Sequence, residues 1–303
     1  DLDGGEDYYM LFKGKALLER ADAEAGAVDA AMAENGLGDG DSEYELDAVR
    51  PIAEDRDRRF QAAVDTLRAT FEMSPLNTDH SANMARAYQV WGDRTFDPER
   101  REERLDQSRA WFAGDAELGI PGALNLSPNN AGLREEMATT EYIAGDDEAA
   151  LRWIDEALAV DPNYTRPLRL RATIRVEEAT GLKDTGDEDA ALEAFAAAEA
   201  DYRRYLESRE GARNATGWSG LALVLARQGK VDESREANLK VLEIAPGDVD
   251  TLRNLAILER DQGDTAAACR WVVQGLGTSP EDPGLVQLDA AMGCGGPPAD
   301  PAE

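Results

Sequence analysis

Residues 215–282 can be set out as two consecutive copies of one 34-residue unit, and a repeat of that length leaves few folds open. The copies read ATGWSGLALVLARQGKVDESREANLKVLEIAPGD (215–248) and VDTLRNLAILERDQGDTAAACRWVVQGLGTSPED (249–282). Gly229 and Gly263 stand 34 apart, as do Pro246 and Pro280. Trp218 matches Leu252 at the fourth place, Leu221 matches Leu255 at the seventh and Ala222 matches Ala256 at the eighth. Small residues such as Ala222, Ala256 and Ala268 let two helix backbones approach closely, while Leu and Trp fill the remaining space. A Gly after each first helix takes the turn, and a Pro after each second helix stops it from continuing. One helix pair cannot bury its apolar face alone, so the copies must stack.

In period and punctuation this resembles the tetratricopeptide repeat (TPR), with Ser234 in place of the usual Ala at the twentieth place. The resemblance implies an all-α fold: a right-handed α-solenoid of about six helix pairs plus a C-terminal closing helix. Laid along the chain, the repeats cover 7–77, 78–130, 131–164, 165–214, 215–248 and 249–282, with a closing helix and tail over 283–303. In the first, Gly14 and Leu17 take the eighth and eleventh places, residues 22–50 read as a Gly- and acid-rich insertion, and 58–75 form the second helix. In the second, Met84, Ala85, Tyr88 and Gly92 take places seven, eight, eleven and fifteen, and residues 114–130 lengthen the corner. The fourth carries its surplus around TGLKDTGDED, with Asp187 placed to cap the helix that follows.

Net charge is −30, from 62 acidic and 32 basic residues, which argues against nucleic acid and anionic membrane surfaces as partners. No run of 18 apolar residues is present to span a membrane, and there is no signal-peptide pattern. The chain opens on Asp1 rather than Met, compatible with removal of a leader or a preceding domain.

Catalysis fails on inventory. His80 is the only histidine, expected exposed near a helix start, so no multi-histidine metal site can form within one chain. No Cys–His arrangement and no phosphate-cradling Gly-rich loop ahead of a Lys-Ser or Lys-Thr pair is present. Neither a cofactor nor a metal is expected. Asp39, Asp41 and Glu43 alternate as in a calcium loop, but Tyr44 and Arg50 occupy the places that need Gly and Glu, so a solvated acidic loop is the expectation.

Surfaces remain. Tyr8, Tyr9, Met10, Leu11 and Phe12 form an unbroken apolar row in the first helix, where a terminal repeat normally shows a polar face; such a row marks an interface, covered either by protein that preceded it or by another copy of the chain. In TPR domains the first helices line a concave groove, and the inward places here hold Asn83 and Arg86, then Arg166, Arg169 and Thr173, then Arg253 and Asn254. Those arginines either receive an acidic protein or peptide ligand or balance neighbouring acids within the fold. Asn125, Asn163 and Asn214 head glycosylation sequons near inter-repeat corners and are candidate glycan acceptors. Cys269 lies roughly 12 Å up the last repeat's second helix and Cys294 roughly 16 Å down the antiparallel closing helix, on about 1.5 Å per residue. A disulfide is within reach; two buried free thiols fit as well.

The phrases MSPLNTDHSANMARAY (73–88), DYYMLFKGKALLERA (7–21) and LSPNNAGL (126–133) look like the TPR region that follows the membrane portion of O-antigen ligase or polymerase-like proteins. That resemblance, over about the first half, implies an extracytoplasmic, envelope-related setting. It carries no ligase activity, which belongs to the membrane-embedded portion. The expected function is a non-enzymatic scaffold that self-associates head to tail into an extracellular filament or assembly; the alternative is a soluble module binding a partner in its groove.

Overall fold

The computed structural model describes residues 4–38 and 40–295, with side chains from residue 8 onward. The described residues form fourteen α-helices, one 3-10 turn and no strand beyond an isolated bridge between Asp115 and Ile120. The chain divides into two compact units, residues 1–164 and 165–303.

In the first unit, α1 (Gly4–Glu34) packs on α2 (Arg50–Met73), α3 (Thr78–Asp93) on α4 (Pro98–Ala113), and α6 (Ala131–Ile143) on α7 (Asp147–Val160), with a short α5 (Ala123–Leu126) before the third pair. In the second, α8 (Pro167–Asp184) packs on α9 (Glu188–Leu206), α10 (Ala215–Arg227) on α11 (Val231–Ile244), and α12 (Val249–Asp261) on α13 (Thr265–Thr278); α14 (Pro283–Met292) closes on α13. This is the expected all-α class with six TPR-like pairs and a closing helix.

The same turn recurs because the same residues demand it. Gly145, Gly186, Gly229 and Gly263 follow the first helices of four pairs with φ of 81°, 88°, 73° and 82°, a region that costs Gly nothing. Each sits in a paired hydrogen-bond closure, as where Lys230 N–H donates to the Leu225 carbonyl at 2.9 Å and Gly229 N–H to that of Ala226 at 3.0 Å. Asp146, Asp187 and Asp264 then cap the second helices, each accepting from the amide three residues on. Ser234, the departure from the repeat, is fully buried and donates its hydroxyl to the Ala222 carbonyl at 2.8 Å, so the extra polar atom is satisfied.

Three expectations need correction. Residues 22–34 are not an insertion: α1 runs on to Glu34, burying Ala21, Ala25, Val28 and Met32 at helical spacing. Gly92 does not make a turn. It lies inside α3, where a Cβ would stand 2.8 Å from Leu105 Cδ2, so it serves close helix approach. The fourth repeat spends its surplus mainly on longer helices of 18 and 19 residues, with a 3-10 turn at Gly211–Arg213.

The core of the first unit is aromatic at its centre. Trp111 and Phe112 are buried beside Phe60, Leu67 and Met84, and the Phe71 ring meets Trp111 edge-on at 4.7 Å. In the second, Val272, Leu276, Leu285 and Leu288 seat α14.

Candidate interaction surfaces

Of the N-terminal row, Tyr8, Tyr9 and Phe12 are 63%, 67% and 54% exposed, and the Tyr8 and Phe12 rings meet edge-on at 4.7 Å. Met10 is half-buried and Leu11 is buried in the core. The row is therefore not a uniform patch: helical rotation turns Leu11 inward and leaves three aromatic rings facing out.

The polar residues expected to line the groove divide into those paired within the fold and those that are not. Arg86 forks onto Glu136, Nε to Oε2 and Nη2 to Oε1 both at 2.8 Å, and also reaches Asn83 Oδ1 at 3.2 Å. Asn83 is buried and donates to the Asp79 carbonyl at 2.6 Å. Arg253 pairs with Asp282 at 2.9 Å and with Asp250, and Arg166 reaches Glu210 at 3.4 Å. Thr173 donates to the Arg169 carbonyl at 3.1 Å. Arg169 and Asn254 are exposed, and Arg169 forms no ion pair among the described residues. Most of the arginines expected to line a basic groove are thus paired within the fold; Arg171 and Arg235, outside that set, fork in the same way onto Asp201 and Glu259.

A cleft in the second unit was not anticipated. It lies between α10, α11 and α12, has a volume of about 330 Å³ and is walled by Ala222, Leu223, Val231, Ile257 and Leu258. Asn254 stands in its wall, as does Asn238 of α11. Asn238 is only 4% exposed; its Nδ2 donates to the Ser234 carbonyl at 2.9 Å, while its Oδ1 is buried without a partner. A smaller hollow of about 170 Å³ lies across α10, lined by Leu192, Phe195, Lys183 and Arg227 among others. Leu223 and Leu192 are both exposed large apolar residues. An apolar residue at the inward ninth place, Leu223 and then Ile257, was the signal in the sequence for this cleft. Asn238 carried none.

The acidic loop is solvated only in part: Asp41 is exposed, but Glu43 is not. Glu43 is fully buried and accepts from Arg56 Nη2 at 2.8 Å and from the Asp97 amide at 2.6 Å. Beside it, Asp57 accepts from Trp91 Nε1 at 2.9 Å and Arg104 Nη2 at 2.8 Å, and the Tyr44 hydroxyl donates to it. Burial alone would raise the Asp57 pKa; the Arg104 and Arg56 charges and these hydrogen bonds outweigh it and hold the carboxyl below its ordinary value. Glu43 is therefore committed to the fold rather than offered to a cation, and Asp39 lies outside the described residues. Among the described residues, no group of three or more His, Cys, Asp or Glu is placed to hold a metal.

His80, expected exposed, is 2% exposed in the first turn of α3, with Nδ1 3.3 Å from the Ser74 carbonyl. The sequons differ. Asn125 Nδ2, the atom a glycan would take, donates to the Ala113 and Pro121 carbonyls at 2.7 and 3.1 Å. Asn214 is half-buried and caps α10 through Oδ1. Asn163 is exposed in a corner, its side chain in no hydrogen bond among the described residues. Cys269 and Cys294 are joined, with S–S at 2.00 Å and Cα atoms 5.0 Å apart. No described helix is long and apolar enough to cross a membrane.

No protein-family model matches this chain, and no curated protein sequence matches it. Solved structures do resemble it in fold. PilF of Pseudomonas aeruginosa aligns with a TM-score of 0.54 at 13% identity, over 90% of this chain and 99% of its own. PilW, a type IV pilus biogenesis factor, aligns at 0.51 and 17%, over 78% and 95%. YrrB, a TPR protein with an unusual peptide-binding site, aligns at 0.50 and 15%, over 75% and 99%. At these identities the likeness is one of fold, the fold of tetratricopeptide-repeat proteins.

Proposed function

We propose that this chain is a non-enzymatic scaffold that self-associates head to tail, its N-terminal helix packing on the last helices of the next copy to build an extended assembly outside the cytoplasm. The observation that carries the reading is the outward set of Tyr8, Tyr9 and Phe12, three large rings exposed by more than half in a strongly acidic chain. A contact between two different surfaces leaves each end of the assembly open to a further copy, and it grows into a filament where its rotation does not close a ring. The Cys269–Cys294 bond fits an oxidising compartment, and exposed Asn163 fits a glycan acceptor there.

Light scattering over a concentration series, beside negative-stain microscopy, tests it. Mass rising with concentration and fibres of regular axial repeat are expected, both lost in Tyr8→Lys/Phe12→Lys. A constant mass of 32.9 kDa at every concentration overturns self-association.

The apolar cleft walled by Leu223, Ile257 and Leu258 favours a second reading, that of a soluble module of an envelope glycan-assembly protein docking a partner's peptide. YrrB, with its peptide-binding site, supplies a precedent for that use of the fold. Peptide titration separates the two readings, since a groove ligand binds the Tyr8→Lys/Phe12→Lys variant undiminished.

A further inference from the structure

Resting on the head-to-tail reading above, we propose that the face receiving Tyr8, Tyr9 and Phe12 is the outer side of α14, around Val286 and Ala290, of a second copy. The repeat's own register points there. Counted from the start of each unit, the eighth place of a first helix meets that unit's second helix. A Cβ on Gly14 would stand 2.6 Å from Leu67 Cδ2 of α2, and Ser234 of α11 donates to the Ala222 carbonyl at 2.8 Å. Gly14, Ala85, Ala138, Ala172, Ala222 and Ala256 hold that place in the six pairs, and all are buried. α14 keeps the register. Asp282 accepts from the Leu285 amide at 2.8 Å as Asp248 does from that of Thr251, which puts Val286 at the fourth place and Ala290 at the eighth. Among the described residues no helix follows α14 to pair with it, so Ala290 is exposed and Val286 is 46% exposed. Asp289 is the only charged residue in this helix.

The other end of the register supplies the occupant. The third place of a first helix faces the preceding pair: a Cβ on Gly217 would stand 2.9 Å from the Tyr205 ring of α9, and one on Gly275 of α13 would strike Leu285. His80, Leu133, Pro167, Gly217, Thr251 and Leu285 hold that place, and all are buried. Tyr9 holds it in α1 and is 67% exposed. Inside the fold a large side chain on one helix meets a small residue on the next, as Leu67 meets Gly14, Leu105 meets Gly92 and Tyr202 meets Gly220. α14 offers the small side of such a contact and α1 the large side: among the described residues, Tyr8, Tyr9 and Phe12 are the only exposed aromatic residues. Charge agrees. Residues 271–303 hold five acids and no base, whereas residues 8–18 hold Lys13 and Lys15 and no acid, the acids of residues 1–7 lying before the rings. Neither lysine forms an ion pair among the described residues.

Two blocked chains test the pairing. Tyr8→Lys/Phe12→Lys closes the α1 face, and Val286→Arg/Ala290→Arg closes the α14 face. All four positions are exposed, and circular dichroism melts check that both variants fold. In sedimentation velocity over a concentration series the native chain is expected to grow. Each variant alone is expected to stay at the mass of one chain, its association weakened about tenfold or more by the charge left buried in the contact. An equimolar mixture of the two variants is expected to form a one-to-one dimer and nothing larger, because one open face of each kind remains. An α14 variant that grows as the native chain does, while the α1 variant does not, overturns the α14 seat and leaves self-association through the rings standing. A mixture that forms no dimer overturns the pairing of the two faces. A native chain that never exceeds one chain's mass, or an α1 variant that grows undiminished, overturns both readings.

Discussion

Arg86 and Glu136 stand 50 residues apart in the chain and meet as a two-pronged ion pair, with both N–O distances 2.8 Å. The pair ties α3 to α6, and Gln89 reinforces it by donating to the Glu136 carbonyl at 2.8 Å and to Thr140 Oγ1 at 2.7 Å. Glu136 removes from the inward face the positive charge that the spacing of Arg86 suggested was on offer. The acidic and basic residues of this fold therefore spend much of their charge holding successive pairs together.

A double-mutant cycle on this pair measures that role. Both side chains are about a third exposed, so solvent screens them, and the coupling energy between Arg86→Ala and Glu136→Ala is expected at about 0.5–1 kcal/mol. Urea melts of the two single variants and the double variant give the number. Additive losses would show the pair to be geometrically neat and energetically idle.

The acid clasp predicts pH dependence. Folding lowers the Asp57 pKa below its ordinary value, so the folded protein releases that proton more readily than the unfolded chain does. The resulting stability is fully present above the ordinary carboxylate range and is lost as pH falls through the lowered folded value. Thermal melts from pH 7 downward should fall more steeply below about pH 4 in the native chain than in Asp57→Asn. Equal slopes would remove Asp57 from the account of acid stability.

Glycines at similar φ should not tolerate alanine equally. At Gly229, φ 73°, a Cβ meets nothing within 4 Å, so Gly229→Ala carries backbone strain alone, about 1 kcal/mol. At Gly122, φ 78°, a Cβ would stand 2.3 Å from the Gly114 nitrogen and 2.6 Å from the Ala113 carbonyl carbon. The bridge over residues 114–122 must open to admit it, so Gly122→Ala is expected to lose at least about 2 kcal/mol more. Chemical denaturation of the two variants ranks them.

Cys269 and Cys294 close a loop of 25 residues in sequence separation around α14. Joining the two ends restricts the unfolded chain, and for a loop of this size the stabilisation is expected at about 3 kcal/mol. Cys269→Ser/Cys294→Ser should lower the urea midpoint and speed amide exchange in α14, with the first unit unchanged. Protection of α14 that survives in the double serine variant would assign its anchoring to Leu285 and Leu288 instead.

The helix pairs were legible because the contacts that make them are local and their punctuation is strict. A Gly that must turn, an Asp that caps, an Ala where two helices touch: each acts within one 34-residue unit. The continuation of α1 was also written there, in Ala21, Ala25, Val28 and Met32, but the acid- and Gly-rich surroundings masked the period. Glu43 was not legible. Its partners Arg56 and Asp97 lie 13 and 54 residues away, and nothing in a run of acids says which one is to be desolvated. His80 sits near a helix start as its position suggests, yet is buried.

By itself, then, the sequence determined the repeat, the class of fold and the turns within the later repeats, since backbone conformation at Gly229, Asp187 or Pro246 is set within a few residues. Only the tertiary structure decided which charges are consumed and which remain. Whether Arg86 is a ligand hook or a strut, and whether Asn238 Oδ1 has a partner, depends on atoms brought in from other helices. Burial and pairing belong to the packed chain, because a charge or a carbonyl is satisfied by whatever folding brings within 3 Å.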